Sequence, residues 1–359
     1  MEGVSSPSPP APQGARGLLR ALVKPSPSPP RLGIAIQAGV VMLLAVGVPA
    51  LLGRPELGLL ASTGALSALY LSARSRRERA RRLPLVQLGL LVAVVLGCIA
   101  AGNALLAPAV LMIVAIGGVL LVSASAVGPP GALFPVLFTG VASRLTGPRA
   151  AGGDGLNPLL VIGCVAAGEL LALVVVLAPL ALPAVRHRDR LLPIAPLRFS
   201  LDITGRTVVL RVSVAAILAA LVAAALGLER GYWVVVAVVA VLQAGRGRRL
   251  GGIRAVHRVI GTLVGAAVFV LVATAVGLAP QGLLLAAVLA LLQFGAEMLV
   301  VAHYGIALLF VTPLALLIAE AGSAGDPWTI AGTRVLDTAI GCAIALLVLA
   351  ADRLLALRR

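Results

Sequence analysis

From residue 33 onward the chain is a succession of long apolar runs broken by short arginine-rich stretches. An apolar run of about 20 residues is the length of helix that crosses a hydrocarbon core about 30 Å thick. Inside that core the backbone must satisfy its own polar groups, which a helix does within one segment. The pattern therefore predicts an all-α membrane protein. Composition agrees: hydrophobic residues make up 60% of the chain and charged residues 12%, against roughly 45–50% and about 25% in soluble domains.

Twelve apolar segments follow the N-terminal tail. Six lie near residues 33–53, 57–72, 84–102, 105–127, 129–145 and 158–183. The other six lie near 207–228, 231–244, 255–277, 281–301, 303–320 and 329–351. The expectation is about twelve transmembrane helices. Residues 1–31 contain "SSPSPPAPQG" and "KPSPSPP", a composition that cannot bury a core and reads as a disordered cytoplasmic tail. Its apolar piece "LLRALV" is too short for a signal-peptide core, so the first helix is expected to act as an uncleaved signal.

Charge tests the layout. With the N-terminus inside, 23 of the 29 lysines and arginines fall in five cytoplasmic clusters. These are the tail, the loop "ARSRRERARRLP", the linker 184–206, the loop "GRGRRLGGIRAVHR" and the C-terminal residues 353–359. Arg54, Arg144, Arg149 and Arg230 fall outside. Such asymmetry follows the positive-inside rule and places both termini in the cytoplasm. Nucleic acid, which a net charge of +16 suggests in a soluble protein, is excluded by this distribution and by an aromatic content of 3%, which leaves no stacking platform.

The two halves, 32–183 and 207–352, read as parallel six-helix repeats, the first degenerate. Each has a long helix, then a short segment, "LGLLASTGALSALYLS" or "YWVVVAVVAVLQ", then an arginine-rich loop and a long third helix. The fifth segments share a turn, "VLFTG" against "LLFVTP". Short segments of 14–16 residues rise about 21–24 Å, less than a full span. Short apolar segments at matching places in two halves point to a transporter's central site; tilt and mismatch are the bland alternative.

Ionisable residues within apolar segments are few: Glu169, Arg211, Glu297, His303, Arg334 and Asp337. Each needs a partner, water or the interface. Arg334 and Asp337, spaced i,i+3, share a helix face and can neutralise each other. The alternative is that Arg334 attracts an anionic substrate while Asp337 holds it or titrates. Glu297 and His303 flank a joint between segments, where they can relay protons or simply be hydrated. Tyr232 and Trp233 are interfacial anchors or stack on an aromatic ligand. Gly261 and Gly265 form a GxxxG packing face.

Cys98, Cys164 and Cys342 show no metal or redox spacing and read as small hydrophobes. Nucleotide-binding and hydrolase motifs are absent, and three histidines do not make a metal site. No cofactor, metal or catalytic group is expected, and the chain does not read as an enzyme.

Four stretches of the second half, "GYWVVVAVVAVLQ", "RAVHRVIGTLVGA", "YGIALLFVTPLALL" and "TRVLDTAIGCAIALLV", resemble the fusaric-acid-resistance-like (FUSC) family of aromatic acid exporters. The resemblance covers about 205–350 and is carried by Tyr232, Trp233, Gln243, Arg258, Gly261, Thr262, Gly265, Tyr304, Thr312, Pro313, Arg334, Asp337, Thr338 and Gly341. "VLQA" stands where the family usually has "LQP". The resemblance implies a multi-pass transporter of the bacterial cytoplasmic (plasma) membrane. It is distantly similar to plant aluminium-activated malate transporters, dimeric anion channels.

The expected function is proton-coupled export of small organic anions, aromatic carboxylic acids among them. Arg258, Arg334, Asp337, Tyr232 and Trp233 are the substrate-site candidates. Glu297, His303 and Asp337 are the proton-coupling candidates, and Gly261, Gly265 and Gly341 serve helix packing. The alternatives are a passive, homodimeric anion channel and a non-transporting membrane scaffold. The partners expected are the lipid bilayer and the anion.

Overall fold

The computed structural model describes residues 22–25, 31–125, 127–194, 199–245, 247–276, 282–320 and 325–357. Most of the tail expected to be disordered, together with Arg198, Arg246, Arg358 and Arg359, lies outside the described residues. Among the described residues every regular element is a helix. The first half contains α1 (Leu32–Leu51), α2 (Pro55–Ala65), α3 (Arg76–Ala100), α4 (Leu106–Ser125), α5 (Leu133–Thr146) and α6 (Pro158–Leu177). A short α7 (Pro183–Arg190) follows. The second half contains α8 (Ile203–Ala225), α9 (Tyr232–Leu242), α10 (Arg248–Val276), α11 (Gly282–Leu299), α12 (Tyr304–Ala319) and α13 (Pro327–Leu357).

Each apolar segment carries one helix, but length divides them. Eight are long and apolar enough to cross a membrane: α1, α3, α4, α6, α8, α10, α11 and α13. The chain is therefore a multi-pass membrane protein. The short members, α2 and α9, have 11 residues each, a rise of about 16 Å and roughly half a hydrocarbon core.

Several boundaries differ from the apolar runs because polar side chains extend the helices. α3 begins at Arg76, well before its apolar stretch. Ser75 Oγ accepts from the Glu78 amide at 3.2 Å, placing Ser and Glu at capping-box spacing. From α7, the Asp189 carboxylate accepts from the Arg76 and Arg77 amides at 2.8 and 2.9 Å, satisfying free N–H groups and the positive end of the helix dipole. The arginine run read as a loop is thus the first two turns of a helix, and the basic linker contains a helix that caps it. At the other end of the chain, Asp352 extends α13 past its apolar run. It pairs with Arg211 at 2.6 Å and Arg248 at 2.8 Å.

Inside and outside are sorted by size as much as by polarity. α8 buries Val212, Ala215, Ala216, Ala219 and Ala220 and exposes Leu210, Leu218 and Leu221. Lipid is as apolar as leucine, so close approach of small residues, not removal of leucine from water, holds such helices together. Gly64 and Gly168 show this at the crossing of α2 and α6. A methyl on Gly168 would overlap the Ala61 carbonyl oxygen, and one on Gly64 the Val165 carbonyl oxygen.

The helix pairings recur between halves. α3 packs on α5 as α10 packs on α12, and α2 packs on α6 as α9 packs on α13. α1 packs on α2 as α8 packs on α9. Across the halves, α1 lies along α11 and α4 lies along α8. Within this arrangement the short helices are enclosed. Every residue of α9 is buried, and so is every residue of α2 from Gly58 onward. A helix that is apolar all round is stable only when surrounded. The ends of both short helices also hold the turn between α4 and α5. Tyr70 donates to the Gly131 carbonyl at 2.6 Å, and Gln243 donates to the Pro130 carbonyl at 2.9 Å.

Gly168→Ala should force α2 and α6 apart and cost about 1–3 kcal/mol, seen as earlier thermal unfolding of the purified protein. Gly163→Ala, at an exposed glycine with nothing within 4 Å of the added carbon, should stay within about 0.5 kcal/mol.

Candidate functional site

The site forms where α10 and α13 meet the first turn of α9, with α12 packed against α10. Glycine lets the backbones meet. A methyl on Gly341 of α13 would stand 2.5 Å from the Val234 carbonyl oxygen of α9. Methyls on Gly261 and Gly265 of α10 would stand 2.7 and 2.5 Å from the Gly305 and Leu308 carbonyl oxygens of α12. The GxxxG face expected from sequence is thus the α10–α12 contact, and Gly341 plays the same part where α13 meets α9.

Three aromatic and three cationic side chains meet in this core. The Tyr232 and Trp233 rings lie 4.9 Å apart. Arg334 is 3% exposed, and its guanidinium carbon lies 3.5 Å from the centre of the Trp233 ring. Arg258, also 3% exposed, donates from Nη1 to the Tyr304 hydroxyl at 2.9 Å. Arg254 sits 4.8 Å over the other side of this neighbourhood, on the Tyr304 ring. Arg258, Tyr232, Tyr304 and Asp337 all lie within electrostatic range of Arg334. The structure therefore brings together all five substrate-site candidates, Arg258, Arg334, Asp337, Tyr232 and Trp233, and adds Tyr304.

The pairing of Arg334 with Asp337 weighed from their spacing does not form. Among the described residues no ion pair within 4 Å joins them. The guanidinium turns to the indole face instead. A desolvated cation–π contact is worth about 2 kcal/mol, but it leaves N–H groups free. Arg334 Nε and Nη1, Arg258 Nε and Trp233 Nε1 are buried and have no hydrogen-bond partner in the protein. One turn on from the two arginines, the Thr262 and Thr338 hydroxyls are likewise unpartnered. Buried polar groups are normally satisfied. Two guanidiniums, several idle donors and two aromatic faces are suited to an anion with a planar apolar body.

The proton-coupling candidates separate. Asp337 lies in this core, whereas Glu297 and His303 lie at the arginine-rich end. Glu297 binds Arg31 at 2.7 Å. His303 caps α12 by accepting from the Ile306 amide at 3.2 Å. Its ring lies 4.8 Å from that of His257, and both histidines reach the Leu22 carbonyl. Sequence placed these residues at a joint between segments, and they fasten the chain there.

Three residues escaped the sequence reading. Arg144 and Arg230 sat among loop arginines and Glu320 was not singled out, yet Glu320 bonds to both, at 3.0 and 2.7 Å. No local signal joins positions so far apart. The first half also has a buried polar group, Gln87, which donates to Ser67 and to the Glu169 carbonyl. Its place resembles that of Arg258 only in the helix carrying it.

Residues 218–348 match the family model described as fusaric acid resistance protein-like. No curated protein and no solved structure matches the chain.

Tyr304→Phe removes the acceptor of a charged donor and should cost about 1.5–3 kcal/mol. Trp233→Leu should cost a further, separable amount of about 2 kcal/mol from the lost cation–π contact. Thermal unfolding of the two single variants and the double variant measures both losses and their coupling.

Proposed function

We propose that this multi-pass membrane protein, whose C-terminal half matches the fusaric acid resistance protein-like family, is a secondary transporter that exports small organic anions. Aromatic carboxylic acids are the substrate class and the proton gradient is the driving force. The observation that carries this reading is the buried pair Arg258 and Arg334, each held by an aromatic ring or hydroxyl and each with an unpartnered N–H. A carboxylate entering between them would gain charge-assisted hydrogen bonds, and its ring would meet Trp233 and Tyr232. Asp337, three residues from Arg334, is assigned the proton. Glu297 and His303 are less suited, since each already has a partner outside this core.

The matched helix pairings of the two halves support an arrangement as two parallel six-helix repeats. Enclosed short helices at matching positions in the two halves support this reading, since short apolar segments so placed point to a transporter's central site. The arginine clusters support cytoplasmic termini in a bacterial plasma membrane.

The test is efflux of benzoate from loaded proteoliposomes under a pH gradient. Arg334→Ala should slow initial efflux at least about tenfold, the loss of about 1.4 kcal/mol or more of interaction. Asp337→Asn should remove the dependence on the gradient while benzoate binding persists. Unchanged efflux in Arg334→Ala overturns the role of Arg334. Conductance without a gradient identifies a channel instead.

A further inference from the structure

A second group of charges lies away from this core, at the ends of α5 and α12 and before the start of α9. Glu320, immediately after α12, is fully buried. Its Oε2 accepts from Arg144 Nη1 at 3.0 Å and from Arg230 Nη2 at 2.7 Å. Arg144 also donates to the Ala319 carbonyl at 3.1 Å and stands 3.7 Å from Asp154. This clamp joins the two halves, because Arg144 belongs to the first and Arg230 and Glu320 to the second.

The clamp is incompletely satisfied. Both arginines converge on one carboxylate oxygen, while Glu320 Oε1 and Arg230 Nε are buried without partners. Guanidinium and carboxylate ordinarily meet in a two-pronged contact that uses both oxygens. Glu320 presents only one of its two oxygens here.

A cavity of about 350 Å³ adjoins the clamp. Arg144, Ser143, Glu229, Gly231, Gly140 and Tyr232 help to line it. That volume falls in the range of small-molecule sites, about 300–1,000 Å³. Tyr232 forms the wall toward the core: it lines the cavity, and its ring lies 4.9 Å from that of Trp233, on which Arg334 rests. The ring is seated on Gly140, where even a methyl would overlap it. Glu320, Arg144, Arg230 and Arg334 all lie within electrostatic range of Tyr232.

We propose that Arg144 and Arg230 form a second carboxylate-binding subsite, occupied here by the protein's own Glu320, and that Tyr232 divides it from the buried Arg258–Arg334 site. A small carboxylate that replaces Glu320 on the two arginines can engage both of its oxygens, with the Glu320 carboxyl swinging away or taking up a proton so that the charges balance. The choice of a carboxylate ligand rests on the anion-transport reading; the clamp and its cavity do not.

The experiment compares Arg334→Ala protein with Arg334→Ala/Glu320→Gln protein, both full-length and purified in detergent. Isothermal titration calorimetry uses benzoate as the probe and neutral benzamide as the control. Removing the competing carboxylate should tighten benzoate binding about tenfold and leave benzamide unchanged. Adding Arg230→Met should abolish the gain. Equal benzoate affinity with and without Glu320, or an equal gain for benzamide, overturns the subsite. If Glu320→Gln is not monodisperse, Glu320→Ala, which also removes the carboxylate, is read by the same criteria. Because Arg334 is absent throughout, a negative result here is distinct from failure of the buried site, which the efflux assay alone reports.

Discussion

An eleven-residue helix buried on every side fixes what the rest of the second half must do. α9 is too short to cross a membrane, and its apolar surface leaves no face for water. It is stable only because α5, α8, α10 and α13 surround it. Its two ends fall inside the protein, so polar groups must be supplied there. Gln243 closes one end by bonding the turn between α4 and α5. The other end opens with Tyr232 and Trp233, and Arg334 is drawn onto the indole. The placement of a charged residue deep in the protein thus follows from enclosing a short helix whose first turn is aromatic.

The same enclosure depends on small residues at the crossings. Gly341 against α9, Gly261 and Gly265 against α12, and Gly64 and Gly168 between α2 and α6 each allow backbone contact that a methyl would prevent. Leucines displaced from these contacts cover the outside, where lipid accepts them at no cost. Charges then fasten the ends. Arg31 with Glu297, Asp352 with Arg211 and Arg248, and Glu320 with Arg144 and Arg230 tie helices that are distant in sequence. Removing Glu320 would strip Arg144 and Arg230 of their buried counter-charge, which is far more damaging than losing a surface pair.

Much of this was legible residue by residue. The apolar runs located the helices because hydrocarbon tolerates little else. Which residues could sit in such a core was readable because charged residues inside apolar helices are few and each needs polar surroundings. What misled was local spacing. Arg334 and Asp337 lie on one helix face, yet the indole of another helix offered the guanidinium a better-fitting surface than a neighbour on its own helix. The arginine run before residue 84 looked like a loop because arginine is polar. Ser75, Glu78 and a carboxylate 113 positions away from Arg76 made it helical. Glu320 carried no signal at all, as its meaning lies wholly in two arginines contributed by other elements.

Sequence by itself determined that the chain is an all-helical membrane protein, which segments are apolar, and which few residues carry charge into them. These follow from transfer energies and helix length, which are local properties. Tertiary structure decided which partner each buried charge takes, which helices are enclosed rather than facing lipid, and that Glu320 bridges the two halves. Those depend on contacts between helices far apart in the chain, and a guanidinium's choice among carboxylate, hydroxyl and aromatic face is settled only by which of them the packing brings within reach.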